Sequence, residues 1–142
     1  MQVNTFAEMV AGWVESISKN GPRFKRRRRA DGEFEASIRA PRSSRAGRLT
    51  ILTWRGDLWV RFDPPHLFYS VDSRTELRRV VRALLGERAL FAATYRGDRW
   101  SGGTLVAKGH IPSPRRGERI AMVSWSGRHD VVVNYEPTRK AR

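Results

Sequence analysis

The sequence predicts an α+β fold: an antiparallel sheet of about seven strands built from hairpins, with two amphipathic helices packed on one face. Three observations lead there. Glycine turns flanked by aromatic residues recur, at Thr53–Trp59 (TWRGDLW), at Thr94–Trp100 (TYRGDRW) and, more loosely, at Ser124–Val131 (SWSGRHDV). Apolar and β-branched runs lie on both sides of these turns, as hairpin arms require. Two other segments, 3–19 and 73–85, space their apolar residues with the period of a helix. A strongly bent sheet or partial barrel is the second architecture that these hairpins allow. The 142 residues, five of them Trp, suit one domain with a real core, spanning 1–142.

The first helix, Val3–Lys19, places Phe6, Met9, Val10, Trp13, Val14 and Ile17 on one stripe, and Thr5 with Glu8 fits a capping box. Asn20-Gly21-Pro22 supplies its stop. Glu8 and Glu15 occupy the polar face, where a membrane-surface helix would carry Lys and Arg, so packing against the sheet is expected.

The first hairpin, about 23–39, contains the basic run Lys25, Arg26, Arg27, Arg28 and Arg29. A two-residue Asp31-Gly32 turn would set Lys25, Arg27 and Arg29 beside Phe34, Ala36 and Ile38. A three-residue loop, Ala30–Gly32, shifts the register by one and puts Arg27 opposite Glu35, Arg29 opposite Glu33 and Phe24 opposite Ile38. Arg26 and Arg28 then fall on the apolar side, at a rim where their stems can snorkel. The basic loop Pro41–Gly47 leads into the central hairpin, 49–62. With Gly56-Asp57 as a type II′ turn, Trp54 faces Trp59, and Leu49, Ile51, Leu58, Val60 and Phe62 share the core face.

Asp63-Pro64-Pro65-His66 breaks the sheet before a short strand at Leu67–Val71. In the second helix, Ser73–Leu85, Ser73 and Glu76 form a capping box. Leu77, Val80, Val81, Leu84 and Leu85 make the apolar stripe, and Gly86 is placed for the αL cap. The hairpin of about 89–108 turns at Gly97-Asp98, with Tyr95 facing Trp100. Gly102-Gly103 in its return arm marks a bulge or a close approach by another backbone. A basic loop, His110–Glu118, precedes the last hairpin, 119–135, and residues 136–142 read as a mobile tail.

Twenty-eight Lys and Arg against fourteen Asp and Glu give a formal charge of +14, which predicts attraction to polyanions. Candidate phosphate or acidic-partner contacts are Lys25, Arg26, Arg27, Arg28 and Arg29, with Arg74, Arg78 and Arg82, whose four-residue spacing puts them on one helix face. The plainer readings are a charged edge strand that blocks aggregation and a solvated helix face. Candidate base-stacking residues are Trp54, Trp59, Tyr95 and Trp100, beside Arg55, Arg96 and Arg99. These aromatic pairs would equally serve to pin hairpin register or to pack under the helices.

No catalytic motif stands out. The chain has no cysteine, and His66, His110 and His129 lack the spacing of a zinc motif, so no metal and no cofactor is expected. Phosphate-loop and GxSxG patterns are absent. An active site assembled in space from scattered residues stays open, although a binding role is favoured. Arg-Gly-Asp occurs twice, at 55–57 and 96–98, where turn chemistry already accounts for Gly and Asp. With no cysteine, no apolar run of membrane-spanning length and no secretory signal pattern, a cytoplasmic protein is expected. The leading functional reading is a non-catalytic module that grips nucleic-acid phosphates. The alternative is a protein-binding inhibitor of the bacterial immunity-protein type, capping an acidic surface on a toxin or other partner. The sequence does not report oligomeric state.

Overall fold

A computed structural model of the chain describes residues 4–137. Two helices and nine strands follow one another as α1 (Thr5–Ser18), β1 (Lys25–Arg28), β2 (Phe34–Arg39), β3 (Arg48–Trp54), β4 (Asp57–Arg61), β5 (Phe68–Val71), α2 (Arg74–Leu85), β6 (Ala89–Arg96), β7 (Arg99–Ala107), β8 (Glu118–Val123) and β9 (Val131–Asn134). The fold is α+β and antiparallel, but the strands form two sheets instead of one of about seven. One sheet has the order β1-β2-β3-β4-β5, the other β7-β6-β8-β9. After β5 the chain passes through α2, and β6 then pairs with β7 and β8. Strand β7 packs beside β5 without joining its ladder. The helices are also divided: α1 packs on β2 and β3, and α2 packs on β6 and against α1.

The main core gathers the inward residues of the first sheet, both helices, and Phe91, Ala93 and Val123 of the second. Leu49, Ile51, Leu58, Val60 and Phe62 are each at most 1% exposed, as the alternation along the central hairpin predicts. A smaller cluster, Leu90, Ala92, Val106, Ile120 and Met122, fills the opposite face of the second sheet.

The first hairpin adopts the three-residue loop. Arg27 pairs with Glu35, and the Arg29 N–H donates to the Glu33 carbonyl at 2.8 Å. The central hairpin departs from expectation. Its turn residues are Arg55 and Gly56, so Trp54 pairs with Asp57 and Leu52 with Trp59. Arg55 (φ 47°) and Gly56 (φ 84°) both take positive φ, which is the type I′ requirement. The Glu33 carboxylate supplies the reason, because its Oε2 accepts from the Arg55 N–H at 2.7 Å. A shift of two residues keeps side-chain parity, so Trp54 and Trp59 still share a face, diagonally and no longer opposed. The same tripeptide at Arg96–Asp98 does turn at Gly97-Asp98, where Gly97 has φ 60° and Tyr95 pairs with Trp100.

Both helix ends refine the expected caps. Asn4, not Thr5, caps α1, its side chain accepting from the Ala7 N–H at 3.0 Å. Ser73 caps α2 as expected. At the other end of α2 the left-handed residue is Glu87 (φ 56°), while Gly86 keeps φ −83°. The N–H groups of Arg88 and Glu87 reach the carbonyls of Ala83 and Leu84, closing a Schellman motif one residue later than anticipated. The Val3 start of the first helix and most of the anticipated tail, 138–142, lie outside the described residues.

Candidate functional site

Four of the five cations in the basic run have acidic neighbours. Arg28 donates to Glu8 Oε1 at 2.7 Å, and Arg26 lies 4.0 Å from Glu15. Both Arg side chains thus lean from the sheet rim onto the polar flank of α1, where the sequence had placed those glutamates. Arg27 lies 3.7 Å from Glu35, and Arg29 3.4 Å from Asp31. Glu33 has a different partner set from the one expected. Only 5% exposed, it turns inward and accepts from Asn4 Nδ2 (2.8 Å), Thr53 Oγ1 (2.9 Å) and the Arg55 N–H. The Thr53 hydroxyl in turn accepts from the Phe34 N–H at 2.9 Å. This network welds the start of α1 to two hairpins.

Arg74, Arg78 and Arg82 are exposed along α2. Arg74 donates to the Ser16 hydroxyl of α1 at 3.0 Å. Arg78 and Arg82 line a cleft of about 300 Å³ between α2 and the C-terminal end of α1, with Ile17, Asn20 and Pro22. The negative end of the α1 dipole faces this cleft, which suits guanidinium groups and disfavours an anion.

The helix-free face of the five-stranded sheet is different in character. Strand register places Lys25, Ser37, Thr50, Arg61 and Phe68 in one row across all five strands. The neighbouring row runs Arg27, Glu35, Leu52, Trp59 and Ser70. Arg39 pairs directly with Arg48 beyond the first row. Like charges directly opposed across strands cost stability. Among the described residues, Arg48 approaches Asp63 at 3.8 Å, but no ion pair engages Lys25, Arg39 or Arg61. Arg42 and Arg45, exposed in the following loop, border the same end of the sheet. Alternation along β2–β4 puts Arg39, Arg48 and Arg61 on this face, a scattered pattern less evident in the sequence than the contiguous basic run.

An aromatic chain continues from this face toward the β6–β7 hairpin. Trp59 meets Phe68 edge-on with centroids 5.5 Å apart, and Phe68 meets Trp100 at 5.6 Å. The His66 ring stacks on Trp100 at 4.9 Å and 11°. His66 Nδ1 is 3.4 Å from the Tyr95 hydroxyl, and the Arg119 guanidinium sits 4.4 Å above the Tyr95 ring. Trp54 stands apart, with Arg55 and Arg29 at 5.1 and 6.0 Å from its ring. Three of the four expected stacking residues thus come together with His66, Phe68 and Arg119, while Trp54 does not join them. Each of these ring systems already has an aromatic or cationic neighbour.

The expected phosphate contacts and stacking residues therefore do not form one site. Arg26, Arg28, Arg74, Arg78 and Arg82 lie on the helix side, whereas Lys25, Arg27, Trp54 and Trp59 lie on the other face. Among the described residues no cluster of three His, Cys, Asp or Glu is arranged to hold a metal ion, and no helix is long and apolar enough to cross a membrane. No protein-family model, no curated protein and no solved structure matches this chain.

Proposed function

We propose that the chain is a non-catalytic binding module that caps an acidic protein surface with the helix-free face of its five-stranded sheet. The observation that carries this reading is the cluster of Lys25, Arg39, Arg48 and Arg61 beside Trp59 and Phe68. A like-charged cross-strand pair on an open face costs the free protein stability, and an incoming carboxylate surface relieves it. Trp and Arg are the residues that most often dominate protein interfaces, and rings already held by neighbours lose little freedom on docking. This is the chemistry an immunity-type inhibitor needs, and in this reading the chain acts in the cytoplasm.

One observation favours a second reading. The same face carries more cations than acids, which suits the phosphates of a single-stranded nucleic acid. It would then use Lys25, Arg39 and Arg61, with Trp59 and Trp100 exchanging their present neighbours for bases.

A fluorescence-anisotropy titration with single- and double-stranded DNA and RNA and with heparin, over a salt series, separates the two. Weak binding that vanishes alike for every polyanion leaves the acidic-protein reading. A steep salt slope with residual affinity for one nucleic-acid type establishes the second reading instead. The triple variant R39A/R48A/R61A should lose binding to the partner in either case, while R74A/R78A/R82A should retain it.

A further inference from the structure

Two loops, one from each sheet, touch beside Phe62, and each is ordered by hydrogen bonds of its own. The β2–β3 loop, residues 40–47, is closed by the Ala40 N–H, which donates to the Gly47 carbonyl at 2.8 Å. It is tied to the segment after β4 by the Asp63 N–H, which donates to the Ala46 carbonyl at 2.9 Å, and Ala46 itself is fully buried. The β8–β9 loop, residues 124–130, is built on the buried Ser124. The Ser124 N–H and hydroxyl both donate to Asp130 Oδ1, at 2.7 and 3.1 Å, and the hydroxyl accepts from the His129 N–H at 3.1 Å. The Ser126 N–H donates to Glu87 Oε1 at 2.7 Å, which anchors the loop to the end of α2.

One side chain fastens the two loops together. The Ser44 hydroxyl donates to the Trp125 carbonyl at 2.8 Å and accepts from the Ala46 N–H at 3.2 Å. A Cβ on Gly127 would lie 3.9 Å from the Ser44 Cα, so the two backbones are in van der Waals contact. The Trp125 ring packs on Phe62 with centroids 5.9 Å apart. This junction carries Arg42, Arg45 and Arg128, all exposed, and among the described residues none of the three forms an ion pair. Arg39 and Arg48 stand at the two ends of the first loop.

We infer that the two fastened loops are a second contact region for the acidic partner, in which Arg42, Arg45 and Arg128 receive its carboxylates and Ser44 holds them as one unit. The inference rests on the reading of the helix-free face given above and extends that interface from the first sheet onto the second. Charge complementarity selects an acidic occupant. Loops that carry like charges can relieve the repulsion by moving apart, but hydrogen bonds fix both of these backbones. The cations stay gathered, and little conformational freedom is lost when a partner docks. Acids lie among the cations: Asp63 is 3.8 Å from Arg48, and Asp130 belongs to the second loop. They interrupt a continuous phosphate track, whereas the surface of a folded acidic protein can meet both signs.

Fluorescence anisotropy of a labelled oligoglutamate titrated with the full chain tests this, using three triple variants that lower the net charge equally. R42A/R45A/R128A should weaken binding by about tenfold or more, and R74A/R78A/R82A by no more than about twofold. Equal losses in these two overturn the inference, because net charge alone then accounts for binding. A loop variant that binds like the parent while R39A/R48A/R61A loses affinity overturns the inference and leaves the sheet-face reading intact. The reverse pattern supports the loops and overturns the sheet-face reading. A loss seen with a single-stranded oligonucleotide but not with oligoglutamate assigns the loops to phosphate and overturns the inference. Ser44→Ala changes no charge. It should weaken oligoglutamate binding by about threefold or more, with the far-UV circular dichroism of the parent, because the loops are no longer held together. Unchanged affinity in that folded variant overturns the joint grip, and if Ser44→Ala does not fold, the charge variants decide.

Discussion

At the scale of single residues, Glu33 and Glu87 show how much a carboxylate's surroundings decide. Glu33 is nearly inaccessible and accepts three hydrogen bonds from an amide side chain, a hydroxyl and a backbone N–H. Removing it leaves the buried Thr53 hydroxyl and the part-buried Asn4 and Arg55 donors without their acceptor. Glu33→Ala is therefore expected to destabilise the protein by about 2–3 kcal/mol in urea denaturation. Glu33→Gln should cost less, since its amide oxygen keeps one acceptor. Burial raises the Glu87 carboxyl, but hydrogen bonds from the Ser126 side chain and backbone, with His129 and Arg128 nearby, outweigh it and hold the group below the ordinary carboxylate range. A group depressed in the folded state binds its proton more readily when unfolded. Its stabilisation is thus complete above the unfolded value of about 4.3 and fades as the pH falls through the lower folded one. The stability difference between the wild type and Glu87→Gln, from denaturation at several pH values, should be flat above about pH 5 and shrink below about pH 4. A difference that grows on acidification would contradict this assignment.

At the scale of elements, identical turn sequences take different turns because of what lies beside them. Arg55-Gly56-Asp57 turns at its first two residues, since the buried Glu33 carboxylate fixes the Arg55 N–H. Among the described residues no carboxylate anchors Arg96-Gly97-Asp98 in this way, and it turns at Gly97-Asp98. Turning the central hairpin at Gly56-Asp57 instead would mean giving up the hydrogen bond between the Arg55 N–H and Glu33. The glycine pair of β7 separates in the same manner. A Cβ on Gly103 would lie 3.1 Å from the His66 carbonyl oxygen, whereas one on Gly102 meets nothing within 4 Å. His66 is itself in the left-handed region at φ 73°, so its carbonyl has little freedom to retreat. Gly103→Ala should cost about 1–3 kcal/mol by thermal or urea unfolding, and Gly102→Ala should be neutral or mildly stabilising. Equal effects at the two positions would show that the β5–β7 approach is looser than the geometry indicates.

At the scale of the whole molecule, the cations on the two faces of the five-stranded sheet have different surroundings. On the helix side, Arg26 and Arg28 are engaged by Glu15 and Glu8 of α1. On the helix-free face, no ion pair engages Lys25, Arg39 or Arg61 among the described residues. Relieving the Arg39–Arg48 opposition by Arg39→Thr should leave the free protein equally stable or stabilise it by a few tenths of a kcal/mol, while weakening partner binding. Thermal melts read together with a binding titration check this. A variant that loses stability and binding in parallel would make Arg39 a structural residue. Added salt should weaken capture of an acidic partner by the helix-free face.

The sequence by itself determined the secondary elements, the core face of the central hairpin, the first hairpin's register and the Tyr95–Trp100 pairing. These follow from alternation, helical periodicity and local charge matching, which act between residues close in the chain. It also determined the net charge and marked Gly102-Gly103 for a bulge or a close backbone approach, and the structure has Gly103 at the approach and a register shift in the same hairpin. Tertiary structure alone decided that β6 leaves the first sheet to start a second, that α1 claims Arg26 and Arg28, and that Glu33 turns inward to move a turn by one residue. It also separated the basic row of α2 from the aromatic residues, which the two sheets share between them. Each of these outcomes depends on a partner distant in the chain, and local pattern carries no information about which distant group will satisfy a buried donor or neutralise a cation.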